Sequence, residues 1–169
     1  MLDEITNKVA NSGIISFDLE DYYTKGERVV FDLKDLLYEG LILKEKDFRS
    51  FVKDHEWNLY KDKFVALYCS ADAIVPKWAF MLVATRLQPY AARIVYGDLT
   101  ALETALYFEA LSRINIMDYK DQRVVVKGCS NFPVPASAYV EITRLLQPVA
   151  KSVMYGEPCS TVPLYKKKD

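Results

Sequence analysis

Three cysteines, Cys69, Cys129 and Cys159, are the residues of this chain best suited to chemistry. Thiolates are the soft donors that zinc, copper(I) and iron–sulfur clusters take. An odd number with no Cys-x-x-Cys pair argues against a disulfide framework. It leaves a metal site, a reactive thiol, or free thiols packed at tight strand ends. Three thiolates need a fourth ligand or keep an open position. Asp72, Asp98 and Glu157 are the candidate ligands, ahead of His55, the single histidine. The same carboxylates could move protons, or simply cap helices. His55 itself reads as a solvated helix end within Lys53-Asp54-His55-Glu56. These residues leave open whether the protein is an enzyme.

What would gather the thiols is a repeat. Tyr60-Lys61-Asp62, Val65, Cys69-Ser70, Val75-Pro76, Gln88-Pro89 and Tyr96-Gly97-Asp98 return later in the chain. They reappear as Tyr119-Lys120-Asp121, Val124, Cys129-Ser130, Val134-Pro135, Gln147-Pro148 and Tyr155-Gly156-Glu157, with one residue of each copy left unpaired. Segments 60–98 and 119–157 therefore read as duplicated βαβ units. The apolar run 63–68 fits a buried parallel strand. Pro76 opens a helix to Leu87, where its missing N–H costs nothing, and Gln88-Pro89 closes it. Arg93 to Tyr96 is a strand, and Asp98 can cap a helix over 99–114 that turns Leu99, Leu102, Leu106, Ala110 and Leu111 inward. The second copy gives strand 123–128, helix 135–146 and strand 152–155.

The first 59 residues read as a helix over 2–12, then two strands, Ile14 to Leu19 and Arg28 to Leu33. A loop through Tyr23 and Gly26 would join these as a hairpin, with Tyr22 and Tyr23 as a contact patch. A helix over 44–55 puts Phe48, Phe51 and Val52 on one face. Residues 158–169 are a tail. The expected fold is one α/β domain over 1–169, a mostly parallel sheet with helices on both faces. The expected strand order within the duplicated part is 2-1-3-4, with the two equivalent first strands side by side. Connections leaving them in opposite directions would open a crevice at their carboxyl ends. Cys69 and Cys129 would stand there by symmetry, and Cys159 would join them after the last strand.

Composition bounds the function. The chain is 51% apolar and 13% aromatic, enough for a real core. Its 22 basic and 23 acidic residues leave a net charge of −1, so no global field draws nucleic acid or an anionic membrane. Lys166-Lys167-Lys168 reads as a solvated end. No window approaches the length of a membrane span. The acidic Met1-Leu2-Asp3-Glu4 start has no secretory pattern, so the expectation is a cytoplasmic protein. No glycine-rich phosphate loop is present. A Cys-x5-Arg anion loop fails, because Val75 and Pro135 stand where the arginine would be.

Four strings carry a resemblance: Val9 to Gly13, Gly40 to Arg49, Cys69 to Pro76, and Tyr155 to Tyr165. On these the chain resembles a bacterial family known only as a domain of unknown function. The resemblance implies a gene setting beside sulfur mobilisation for iron–sulfur assembly. It favours thiolates that handle iron, sulfur or a cluster. The resulting expectation is a cytoplasmic accessory protein holding zinc or an iron–sulfur cluster through Cys69, Cys129 and Cys159, with iron–sulfur assembly proteins as partners. The rivals are a non-catalytic interaction domain with structural cysteines, and a small-molecule enzyme using Asp72 or Cys69 in the same crevice.

Overall fold

The structure is a computed structural model that describes residues 13–128 and 131–168. The expected helix over 2–12 lies outside the described residues. The chain divides into two compact units, Lys25–Ala105, and Leu106–Asp169 with Met1–Thr24.

Each unit builds its own sheet. In the first, β2 (Arg28–Asp32), β3 (Phe64–Tyr68) and β4 (Arg93–Tyr96) lie in that order, all parallel. In the second, β1 (Ile14–Asp18), β5 (Arg123–Lys127) and β6 (Ser152–Glu157) are parallel, and β7 (Ser160–Lys166) returns antiparallel along β6. The α/β class and the mostly parallel pairing are as expected. The order 2-1-3-4 is not: strands follow chain order within each sheet, with no reversal and so no switch-point crevice. The hairpin is also absent, since β1 pairs with β5 and β2 with β3.

The reason lies in a part of the repeat outside 60–98 and 119–157. Phe17-Asp18-Leu19-Glu20-Asp21 and Phe31-Asp32-Leu33-Lys34-Asp35 are two copies of one element. Each strand ends on an aspartate whose Oδ1 accepts from the amide two residues on, Glu20 or Lys34, at 3.0 Å. That side-chain turn takes the backbone out of the ladder into a 3₁₀ turn. Each copy then lies parallel to its own βαβ unit.

Four α-helices complete the described residues: α1 (Glu45–Asp54), α2 (Lys77–Leu87), α3 (Leu99–Leu111) and α4 (Ala136–Leu146). β3 and α2 stand a constant 59 residues before β5 and α4, with no gap. The two cores match position for position. Phe31, Leu33, Val65, Leu67, Val83 and Leu87 in one correspond to Phe17, Leu19, Val124, Val126, Ile142 and Leu146 in the other. Phe48 and Val52 of α1 correspond in the same way to Tyr107 and Leu111 of α3. Each such side chain contributes about 1.5–3 kcal/mol on burial.

Alternation along β2 puts Phe31 in the core and Arg28 on the opposite face. There the Arg28 guanidinium meets Glu103 of α3 at 2.6 Å. The β2-β3-β4 sheet thus carries helices on both faces. Among the described residues no helix is long and apolar enough to cross a membrane.

Candidate functional site

The expected site residues fall at different places. Cys69 follows β3, half-buried against its core, with its thiol directed at the Ala71 carbonyl at 3.8 Å. Cys159 lies in the turn between β6 and β7 of the other unit and is exposed. Cys129 lies outside the described residues. The single sheet edge expected for the three thiols does not exist, because there are two sheets. The gapless register also pairs Cys69 with Gly128, and Ser70 with Cys129, so the thiols are not symmetry mates. Among the described residues no three His, Cys, Asp or Glu side chains converge as ligands of one ion.

Asp98 caps α3, its Oδ1 accepting from the Ala101 amide at 2.9 Å. Asp72 is exposed in the loop after β3, with no ion pair or side-chain hydrogen bond among the described residues. His55 is not a solvated end. Its ring packs against Phe51 and Trp57, and its Nε2 shares a hydrogen bond with the Tyr60 hydroxyl at 3.1 Å. Burial lowers its pKa against an opposing push from Glu56. Tyr22 and Tyr23 form no patch. Tyr22 stacks on Phe17 with centroids 4.8 Å apart, and Tyr23 on Phe132 at 4.3 Å. Burial, then the bond to Tyr22, pushes Tyr119 up to about 12.

Glu157 lines a recess of about 200 Å³ at the carboxyl ends of β1, β5 and β6. Lys127 stands between Asp18 at 3.5 Å and Glu157 at 3.8 Å. Glu20 accepts from the Asn131 amide at 2.9 Å and from its side chain at 3.2 Å, tying the next loop to the rim. The Tyr139 hydroxyl donates to the Gly128 carbonyl. Three carboxylates around one ammonium leave the recess acidic.

The counterpart in the other unit is closed differently. Asp32 accepts from the Ser70 hydroxyl at 2.6 Å and the Ser70 amide at 3.0 Å. Burial acts to raise the Asp32 pKa. The bonds from the Ser70 hydroxyl and the Lys34 and Ser70 amides outweigh it and hold the carboxyl below its usual range.

One feature was invisible to motif reasoning. Glu39 and Gly40 both have positive φ, as tight primed turns require. The turn lays Tyr38 against Ile42, with the Tyr38 amide donating to the Ile42 carbonyl at 2.7 Å. Ile42 in turn bridges to Ile74 in parallel. The result is an apolar surface: Ile74 is 89% exposed, Leu41 62%, Ile42 52% and Tyr38 45%. The Lys44 ammonium sits over the Tyr38 ring at 3.1 Å. A cavity of about 290 Å³ adjoins it, lined by Asp35, Tyr38, Lys44, Asp47, Phe48 and Phe51. The signal that could have found it is the Leu41-Ile42-Leu43 run beside Gly40, which has too few residues to be a core element.

No curated protein and no solved structure matches this chain. A family model does match residues 3–167, and the chain belongs to that family, DUF2480, proteins of unknown function.

Proposed function

We propose that the protein is a non-catalytic docking module whose apolar surface of Tyr38, Leu41, Ile42 and Ile74 takes a segment of a partner protein. The observation that carries this is the 89% exposure of Ile74 where it bridges to Ile42. Large apolar side chains grouped at a surface mark interaction sites, whereas scattered ones do not. The bridge also joins two of the strings on which the family resemblance rests, Gly40 to Arg49 and Cys69 to Pro76. Asp35, Glu39, Asp47 and Asp72 border the patch or flank its residues in sequence. None has a side-chain hydrogen bond or ion pair among the described residues. The fitting partner segment is apolar with basic neighbours. The setting is that of a bacterial cytoplasmic accessory protein beside the iron–sulfur assembly machinery.

The test is a photo-crosslinking residue in place of Ile74. The expected capture is one partner, through a peptide whose apolar side chains are flanked by Lys or Arg. Ile42→Asp is expected to abolish capture with Tm unchanged. Capture that survives Ile42→Asp, or crosslinks spread over many proteins, would overturn the reading.

A second reading, metal or cluster binding, is favoured by the acidic recess. Gly128 and Glu157 both line it, Cys129 follows Gly128 in the chain, and Cys159 is two residues past Glu157. Anaerobic purification with iron, zinc and sulfide quantification tests this. Cys129→Ser and Cys159→Ser are expected to lose the metal and Cys69→Ser to keep it. A metal-free wild-type protein would remove this reading.

A further inference from the structure

The two units differ on the face of the sheet opposite the core, at the amino ends of the parallel strands. In the β1-β5-β6-β7 sheet one row runs across all four strands: Ile14, Arg123, Ser152 and Lys166 are consecutive register partners. Paired residues share a face. With Lys151 and Met154 they line a groove of about 450 Å³. Arg123, Lys151 and Lys166 are exposed, and none has a side-chain hydrogen bond or ion pair among the described residues.

The equivalent row of the other unit is Arg28, Phe64 and Arg93. There the row holds two cations: Arg28 pairs with Glu103 of α3 at 2.6 Å, and Arg93 is not free either. The Arg28 guanidinium also lies over the Phe64 ring, 5.2 Å from its centroid. In the second unit β6 leads into β7 in place of a helix like α3. Among the described residues no carboxylate pairs with Arg123 or Lys166, and Arg123 replaces Phe64 at the centre of the row. One copy has the cations of its row engaged, and the other presents three cations without a side-chain partner among the described residues, above an apolar floor.

We propose that this groove binds a phosphate-bearing small molecule of the nucleoside diphosphate class. Three cations match the charge of a diphosphate. The Arg123 fork is suited to bidentate contact with phosphate oxygens, and the lysines act as point charges beside it. Ile14 and Met154 supply the apolar floor on which a flat ring rests, Met being the more adaptable contact. The volume falls within the range of small-ligand pockets. The contacts are exposed, so binding weakens with salt.

The experiment titrates the full chain with ADP, and separately with inorganic pyrophosphate, followed by amide chemical shifts. ADP is expected to shift the amides of Arg123, Lys151, Ser152 and Lys166, and pyrophosphate the same set more weakly. Arg123→Gln is expected to weaken ADP binding roughly tenfold or more, the loss of one charge-assisted contact. Lys151→Gln, a second exposed change, is expected to act in the same direction, and Lys63→Gln in the other unit to have no effect. No shift from either probe at millimolar concentration, or shifts insensitive to Arg123→Gln and Lys151→Gln, would overturn the proposal. Tighter binding of a short single-stranded oligonucleotide through the same residues would also overturn it, by assigning the groove to a nucleic-acid backbone.

Discussion

Arg28 Nε donates to Glu103 Oε1 at 2.6 Å, with both side chains mostly shielded from water. A second bond, from Arg28 Nη2 to Glu103 Oε2 at 3.3 Å, makes the contact two-pronged. It fastens the first half of α3 to the face of β2 away from the core. Removing the Glu103 charge leaves the Arg28 guanidinium mostly shielded and without its ion pair to that carboxylate. Glu103→Gln is expected to cost about 1–2 kcal/mol. The midpoint of urea unfolding, at unchanged slope, is the check.

Asp32 is the end of one strand and the acceptor for the next loop. Its folded pKa lies below the ordinary 3.8, so the unfolded state binds the proton more readily. Its stabilising contribution is therefore present above 3.8 and lost as pH falls through the lower, folded value. Ser70→Ala removes the 2.6 Å hydroxyl bond and is expected to raise the Asp32 pKa. A carboxyl titration followed by NMR reads this directly. An unchanged Asp32 titration would show that the Lys34 and Ser70 amides hold the carboxylate by themselves.

His55 sits among Phe31, Phe51 and Trp57, where the imidazolium is poorly solvated. Its folded pKa is below the ordinary 6.5. The unfolded chain therefore takes up the proton first as pH drops. The contribution of His55 is complete above 6.5 and declines as pH falls through its folded pKa. Comparing wild type with His55→Gln between neutral and mildly acidic pH isolates it. The wild type is expected to lose stability faster over that window.

Gly156 has φ +116°, and a Cβ there would lie 2.7 Å from the Ser160 carbonyl oxygen. The obstacle is backbone across the β6–β7 turn, so no side-chain rotation relieves it. Gly156→Ala is expected to cost about 1–3 kcal/mol. It should also displace Glu157 from the recess. Thermal unfolding measures the first, and changes in the amide chemical shifts of Lys127 and Glu157 report the second.

Most of the elements were legible in the chain. Pro76 and Pro135 mark helix starts, Gln88-Pro89 and Gln147-Pro148 mark ends, and the apolar runs at 64–68 and 123–127 mark buried strands, all through local backbone chemistry. The start of α3 was legible, but the helix ends at Leu111, three residues short of the expected 114, and its inward face was only partly readable. Leu102, Leu106 and Leu111 are buried as expected. Tyr107 is also buried, whereas Leu99, expected inward, is 45% exposed and Ala110 is only half-buried. A helix apolar on nearly every side carries no stripe to read.

Which strands pair was decided only by the tertiary structure. Ile14 pairs with Arg123 and Arg28 with Phe64, although Ile14 and Arg28 belong to neighbouring strands in the chain. Local propensity names a strand but not its partner, because pairing is settled by which buried faces fit together over long separations. The same holds for function. The sequence by itself determined that thiols, carboxylates and a repeat exist. Only folding decided that Cys69 and Cys159 belong to different sheets, that Ile42 meets Ile74, and that three cations share one groove.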